Sequence, residues 1–399
     1  MASLLLAIIY LSFISLGLPD SLLGSAWPEM HQVMGVELSA MGIVTTLIAV
    51  GTVVSSLLSD KLTAKFSTPA IVTASVGLTA VGLLGFSFAP TFLVLCLFAI
   101  PYGLGAGSID AALNNYVALH YTSRHMSWLH CFWGVGTVVS PYVMSYALGT
   151  EMGWAGGYRI VGGIQICILI ILLATLPVWK KAGHKRSLSV DEKTDESRQS
   201  TGLVGSLKIK GVPYVLLGFL GYCAAESTVM VWASTYFFEA KSTTEEVAAA
   251  LGSLFFIGMT VGRFFAGFIS NRVGDKNMIR AGLALSTVGV IIIAIPAPLP
   301  LSIAGFLLIG LGFAPIYPSI IHSTPNSFGK ENSQAIIGIQ MAAAYLGATL
   351  APPIFGLIAN YVEIRLLPIY LGVFMILSFV MLEFLNRKNL SQNSCDNIT

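Results

Sequence analysis

The sequence predicts an all-α membrane protein of twelve transmembrane helices, arranged as two pseudo-symmetric six-helix bundles. Three observations lead there. Of 399 residues, 55% are hydrophobic and only 10% charged, with a mean hydropathy of +0.80, a composition that leaves no soluble globular reading. The one long polar stretch, residues 179–210, sits near the middle of the chain, with similar blocks of apolar segments on either side. The two blocks also match each other without gaps. Gly51 to Lys65 aligns on Gly262 to Lys276 at a shift of 211, pairing Ser59 with Ser270 and Lys61 with Arg272, and the same shift pairs Gly136 and Pro141 with Gly347 and Pro352. A parallel duplication of this kind is one way membrane transporters are built.

The individual spans follow from segment length, since a helix rising 1.5 Å per residue crosses the hydrocarbon layer in about 20 residues. In the first half they are expected at 2–26, 38–58, 68–88, 91–118, 127–147 and 158–178. In the second they are expected at 212–237, 246–270, 277–296, 298–322, 334–359 and 366–386. The domain plan is therefore an N-terminal bundle over 1–178, a linker over 179–210, and a C-terminal bundle with a short tail over 211–399. The first span is too long for a secretory core and is read as retained. The linker mixes Ser with both charge signs and has no apolar period, so it is expected to be flexible.

Lys and Arg concentrate in alternate gaps, among them Lys61, Lys65, Arg124, Lys180, Arg186, Arg272, Lys276, Lys330 and Arg387, whereas the opposite gaps hold only Arg159, Lys241 and Arg365. Both termini and the linker are thus expected on the cytoplasmic side of a plasma (inner) membrane. The net charge of +2 is dispersed and points to no nucleic-acid partner. Cys96, Cys131, Cys167 and Cys223 lie singly in apolar segments, so neither disulfides nor a metal are expected. There is no nucleophile-plus-base signature and no phosphate loop, so the chain is expected not to be an enzyme and to need no cofactor.

Chemistry inside the spans rests on three acids, because an acid at mid-bilayer costs about 2.5–3.5 kcal/mol on insertion scales and is kept for a purpose. Asp20 follows Pro19, whose ring removes a helical donor and strips the Ser15 carbonyl of its usual partner. Glu226 corresponds to it in the second half, a shift of 206 carrying Asp20 and Ser21 onto Glu226 and Ser227. Tyr222, one turn earlier, is placed to donate to Glu226. Asp110 shares a stripe with Gly103, Gly107 and Asn114, the glycines reading as helix packing and the polar pair as partners for hydroxyl groups. His130 is a substrate contact or a structural donor, Trp232 a sugar-stacking ring or an interfacial anchor, and Gln165, Tyr317 and Gln340 are polar groups that bind solute or bridge helices. Arg263 is read as snorkelling near the end of its span, with gating as the functional alternative.

The loops Asp60-Lys61-Leu62-Thr63-Ala64-Lys65 and Gly267 through Asn271, Arg272, Gly274, Asp275 and Lys276 resemble the G-x-x-x-D-R-x-G-R-R signature of the major facilitator superfamily. That resemblance implies the major facilitator fold and a gating role for Asp60, Lys61 and Arg272. Asp20, and Asp110 with Asn114, Tyr116 and Val117, are similar to the fucose:proton symporter branch, where the first acid couples protons and the second contacts sugar. The Glu226-to-Trp232 spacing is similar to related hexose carriers, including the sodium-dependent glucose transporter group, and Trp133 stands where the fucose carrier has a polar side chain. The expectation is a monomeric carrier that takes up a small polar solute such as a sugar by alternating access, coupled through Asp20 and Glu226 to H+ or to Na+. Its rivals are proton-driven efflux of a small apolar compound and a non-transporting membrane sensor.

Overall fold

The computed structural model describes residues 2–36, 40–187, 202–243, 245–295 and 298–396. These are helical almost throughout. The first half holds α1 (Ala2–Asp20), α2 (Leu22–Val33), α3 (Met41–Phe66), α4 (Thr68–Ser87), α5 (Phe92–His120), α6 (Ser123–Leu148) and α7 (Gly153–Ser187). After the short α8 (Gly202–Leu207) come α9 (Val212–Lys241), α10 (Glu245–Val273), α11 (Asp275–Ala294), α12 (Leu299–Phe313), α13 (Ile316–Phe328), α14 (Lys330–Tyr361) and α15 (Leu367–Asp396). Among the described residues, eleven segments are long and apolar enough to cross a bilayer, counting α1 with α2 and α12 with α13 as single spans. The twelfth is α6, whose first turns carry Ser123, Arg124, His125, Ser127 and His130 and dilute its hydropathy. Twelve membrane helices in the expected order result.

The chain divides into two compact units, residues 1–116 with 129–202, and residues 117–128 with 203–399. Each unit repeats the packing of the other at two close glycine contacts. A side chain on Gly136 of α6 would strike the Ile14 carbonyl (2.5 Å) and the Leu18 nitrogen (2.8 Å) of α1, and one on Gly347 of α14 would strike Leu220 O (2.7 Å) and Ala224 N (3.3 Å) of α9. Ile14 and Leu18 map onto Leu220 and Ala224 at the shift of 206 that relates the two acids. Likewise Gly51 of α3 abuts Gly103 and Leu104 of α5, while Gly262 of α10 abuts Leu311 of α12 and Ala314. The turns after these helices share one backbone shape: Ser67 has φ 71°, ψ 155° and Gly274 has φ 79°, ψ 151°. The two turns are 207 residues apart, about one helical turn short of the aligned shift of 211, and because the left-handed region costs Gly little and other residues more, Ser67 bears strain that Gly274 avoids.

Several boundaries differ from the expected ones. The first span is two helices, interrupted at Ser21 just after Pro19, where the missing donor weakens the ladder. The tenth span is likewise divided at Ala314 and Pro315, because Pro315 cannot continue the helical hydrogen bonding. Helix α7 runs on to Ser187, into the region expected as linker, and α8 occupies its far end. The serine-rich stretch expected to be flexible falls mostly on 188–201, outside the described residues.

Candidate functional site

In the first unit, the interruption after Pro19 leaves Asp20 exposed although it lies inside an apolar span. The Ser15 carbonyl released by that proline accepts a hydrogen bond from Gln165 Nε2 at 2.8 Å, and Ser15 Oγ donates to Gln165 Oε1 at 2.5 Å. Gln165 thus repairs the ladder, bridging helices as one of its expected readings had it. Ser21 Oγ donates to the Thr137 carbonyl at 2.7 Å and Ser140 Oγ to the Leu18 carbonyl. Gly17 and Gly136 allow this approach of α1 to α6, which seats Asp20 beside Trp133. Its carboxylate accepts from Trp133 Nε1 at 2.8 Å and from the Tyr102 hydroxyl at 3.2 Å. Two neutral donors therefore orient the acid.

A second cluster lies in the same unit. Asn114 Nδ2 donates to Asp110 Oδ1 (2.7 Å) and to the Asp110 carbonyl (3.0 Å), and His130 Nε2 lies 3.1 Å from Asn114 Oδ1. Because the amide nitrogen is committed to Asp110, its oxygen is the acceptor and His130 Nε2 is the donor. Asp110, Asn114 and His130 are all buried, and the Phe13 ring meets His130 edge-on at 5.4 Å. Gly103 and Gly107 do what packing glycines do: side chains there would collide with Ile48 and Thr52 backbone, and their carbonyls accept from Thr52 and Ser56, each at 3.2 Å.

In the second unit Glu226 is paired. Arg263 Nη2 donates to Glu226 Oε1 at 3.1 Å, and the Arg263 side chain is 4% exposed. This overturns the snorkelling reading of Arg263: it lies ten residues, about 15 Å, inside the end of α10, too deep for its head to reach water. Burying a charged Arg is costly unless it meets an acid, and Glu226 provides one. Tyr222 lies in hydrogen-bond reach of Glu226, and its hydroxyl donates to the Phe313 carbonyl at 3.1 Å. Tyr317 edges against Phe219 at 4.7 Å and donates to Met341 Sδ at 3.1 Å. Trp232 Nε1 donates to the Pro352 carbonyl at 2.9 Å, and its ring meets Phe355, so this indole joins α9 to α14. Gln340 is fully buried, its Oε1 accepting from Thr324 at 3.0 Å while Nε2 has no hydrogen-bond partner among the described residues.

Lys61 and Arg272 are exposed and Asp60 partly so. In the second loop Asn271 Oδ1 accepts from the Arg124 backbone N–H at 3.1 Å, and Asp275 accepts from Ser123 Oγ at 2.5 Å and bridges to His322 at 2.6 Å. Gly267 leaves room for the Trp128 indole, which also meets the Phe268 ring at 5.4 Å and the Arg124 guanidinium at 5.7 Å. Tyr102, Asp275 and His322 enter the site only through the structure. Asp275 carried a signal, an acid four residues past the position where the signature has one. Tyr102 and His322 carried none, because each acquires its role from a distant partner.

Elsewhere in the second unit, Tyr236, Lys241, Ile295, Leu299 and Arg365 line a cavity of about 460 Å³. Burial, helped by the charge of Arg365, holds the Lys241 ammonium below its ordinary pKa. Among the described residues no group of three or more His, Cys, Asp or Glu side chains is placed to hold a metal ion.

Two helical units with acids inside membrane spans define a multi-pass membrane transporter. The family model described as Major Facilitator Superfamily matches residues 9–242 and 215–394, and the chain belongs to that superfamily. It is 28% identical over 381 residues to an uncharacterized transporter, y4wD, of Sinorhizobium fredii, covering 92% of this chain and 95% of that one. Among solved structures, FucP in the outward conformation superposes with a TM-score of 0.77 at 14% identity, covering 95% of this chain and 98% of that one; FucP is the fucose:proton symporter of E. coli. The proton:xylose symporter XylE gives 0.76 at 14% identity, covering 95% of each chain. At such identity these likenesses concern the fold.

Proposed function

We propose that this transporter carries a small polar solute such as a sugar, coupled to protons, by alternating access. The observation that carries the reading is Asp20: an acid inside an apolar span, exposed, and held by Trp133 and Tyr102, both neutral donors. Such a carboxylate takes up and releases a proton as its surroundings alternate between wet and dry. Glu226 has a fixed counter-ion in Arg263, so the coupling role goes to Asp20 and Glu226 becomes a structural charge. Asp110 and Asn114, one helical turn apart on α5, and His130 of α6 offer donors and acceptors suited to solute hydroxyls. Trp133, Tyr222, Trp232, Tyr317 and Gln340 are assigned secondary solute contacts, and the loops of Asp60, Lys61 and Arg272 the steadying of one state. The bias of Lys and Arg among the loops supports a plasma-membrane orientation with both termini cytoplasmic. That two structural neighbours are by name proton-coupled sugar symporters supports the same reading.

The test is counterflow of labelled monosaccharides in proteoliposomes, which needs no ion gradient. At least one sugar of a broad panel is expected to exchange, and Asn114→Ala is expected to raise its half-saturation concentration about tenfold or more, the equivalent of one lost hydrogen bond of ~1.4 kcal/mol. Absence of exchange for every sugar removes the polar-solute assignment.

A further inference from the structure

The strongest cluster outside the solute and cation residues is built on His322 of α13. Its Nδ1 lies 2.6 Å from Asp275 Oδ2 at the start of α11, and its Nε2 lies 3.1 Å from the Tyr121 carbonyl. Both partners are acceptors. A carbonyl oxygen has no hydrogen to give, so Nε2 must carry one. A carboxylate has none either, so the 2.6 Å approach at Nδ1 requires a second hydrogen, on the ring or on Asp275. Whichever atom holds it, the bridge contains one proton more than a neutral imidazole and a carboxylate supply. Without that proton, one ring nitrogen turns its lone pair toward an oxygen, and an attraction becomes a repulsion.

No other described charged side chain competes for the ring. On α11, Arg280 is engaged by Glu383 at 2.6 Å; on α9, which also packs on α13, Glu226 is engaged by Arg263. On α14, whose first turns carry Lys330, Glu331 and Gln334, Gln340 accepts from Thr324 of α13. In the 117–128 segment Arg124 lies over the Trp128 ring, and His125 packs edge-on to Tyr121 and Trp128. That segment, made of the end of α5, Tyr121 and Thr122, and the first turns of α6, belongs to the second unit. Besides His322, it is held by Ser123 on Asp275 and by the Arg124 N–H on Asn271.

We propose that His322 and Asp275 form a proton-binding site that clamps residues 117–128: occupied by one proton the clamp is closed, and loss of the proton opens it. The site is separate from Asp20 and needs no solute. On the orientation proposed above it faces the cytoplasm, where acid would hold this segment and alkali release it. Its chemistry depends only on the local geometry, so failure of the sugar or Asp20 assignments leaves it standing.

Hydrogen exchange of the 117–128 amides, read by mass spectrometry on the full-length protein in lipid nanodiscs between pH 5.5 and 8.5 and corrected for intrinsic exchange, tests it. Wild-type protection is expected to fall with rising pH, approaching tenfold per unit once the proton is released, the limit for one linked proton. His322→Gln is expected to be weakly protected and flat with pH. Asp275→Asn is expected to be flat and protected, because its amide donates to Nδ1 of a neutral ring while its oxygen still accepts from Ser123. His125→Gln is expected to keep the wild-type profile. A flat wild-type profile overturns the proposal, as does a His322→Gln protein that titrates like wild type or a His125→Gln protein that has lost the titration. Should His322→Gln fail to fold, the contrast between wild type and Asp275→Asn decides alone.

Discussion

Arg263→Met is expected to destabilise the second unit by about 3–5 kcal/mol, the usual loss when one partner of a buried ion pair is removed. The reason is the charge left behind. Glu226 and Arg263 are 8% and 4% exposed within apolar spans, and neither charge finds water if the other is deleted. Glu226→Gln should cost a similar amount. Removing both charges together should restore most of the loss, because a neutral pair of similar volume leaves nothing unpaired. In thermal unfolding of purified protein, each single variant is expected to drop on the order of 10 °C and the double variant only a few degrees. Strict additivity of the two single losses would show that the pair is not a unit.

Asp20→Asn is expected to separate exchange from accumulation. The amide keeps the size of the carboxyl group, its oxygen accepting from Trp133 while its NH2 donates to the Tyr102 hydroxyl, which turns to accept, but it cannot release a proton. Under an inward gradient of one pH unit a proton-coupled carrier concentrates its solute up to about tenfold; the variant should stop at equilibration. Counterflow, which returns the carrier loaded in both directions, should persist at a rate near wild type. If Asp20→Asn still concentrates solute, the proton is carried elsewhere.

Legibility in the sequence followed the range of the interaction. Span count, pseudo-symmetry and the acids were visible because each is a local or periodic signal: a run of about 20 apolar residues, a repeat at a fixed shift, a costly side chain in the wrong solvent. The consequence of Pro19 was partly visible as well. The freed Ser15 carbonyl could be anticipated from the proline alone, while its new partner, Gln165, lies 150 residues away and could not. The same limit explains Arg263. Its depth in α10 depended on where that helix ends, and its pairing with Glu226 on a helix crossing invisible in one dimension. Gly267 shows the reverse case: it stood out as part of a loop signature, but the reason for a missing side chain there, the Trp128 indole, comes from another part of the chain. His322 was hidden because one histidine in an apolar span says nothing until both of its nitrogens have partners.

A carrier in which Asp20 holds the proton moves solute and proton across the membrane together. A pH electrode in a lightly buffered suspension of proteoliposomes tests it most directly, with unlabelled sugars added one at a time and no imposed gradient. External alkalinisation is expected on addition of any sugar that exchanges in counterflow, and none from Asp20→Asn liposomes given the same sugar. A sugar that exchanges without moving the electrode, or an equal alkalinisation from the Asp20→Asn protein, would contradict it.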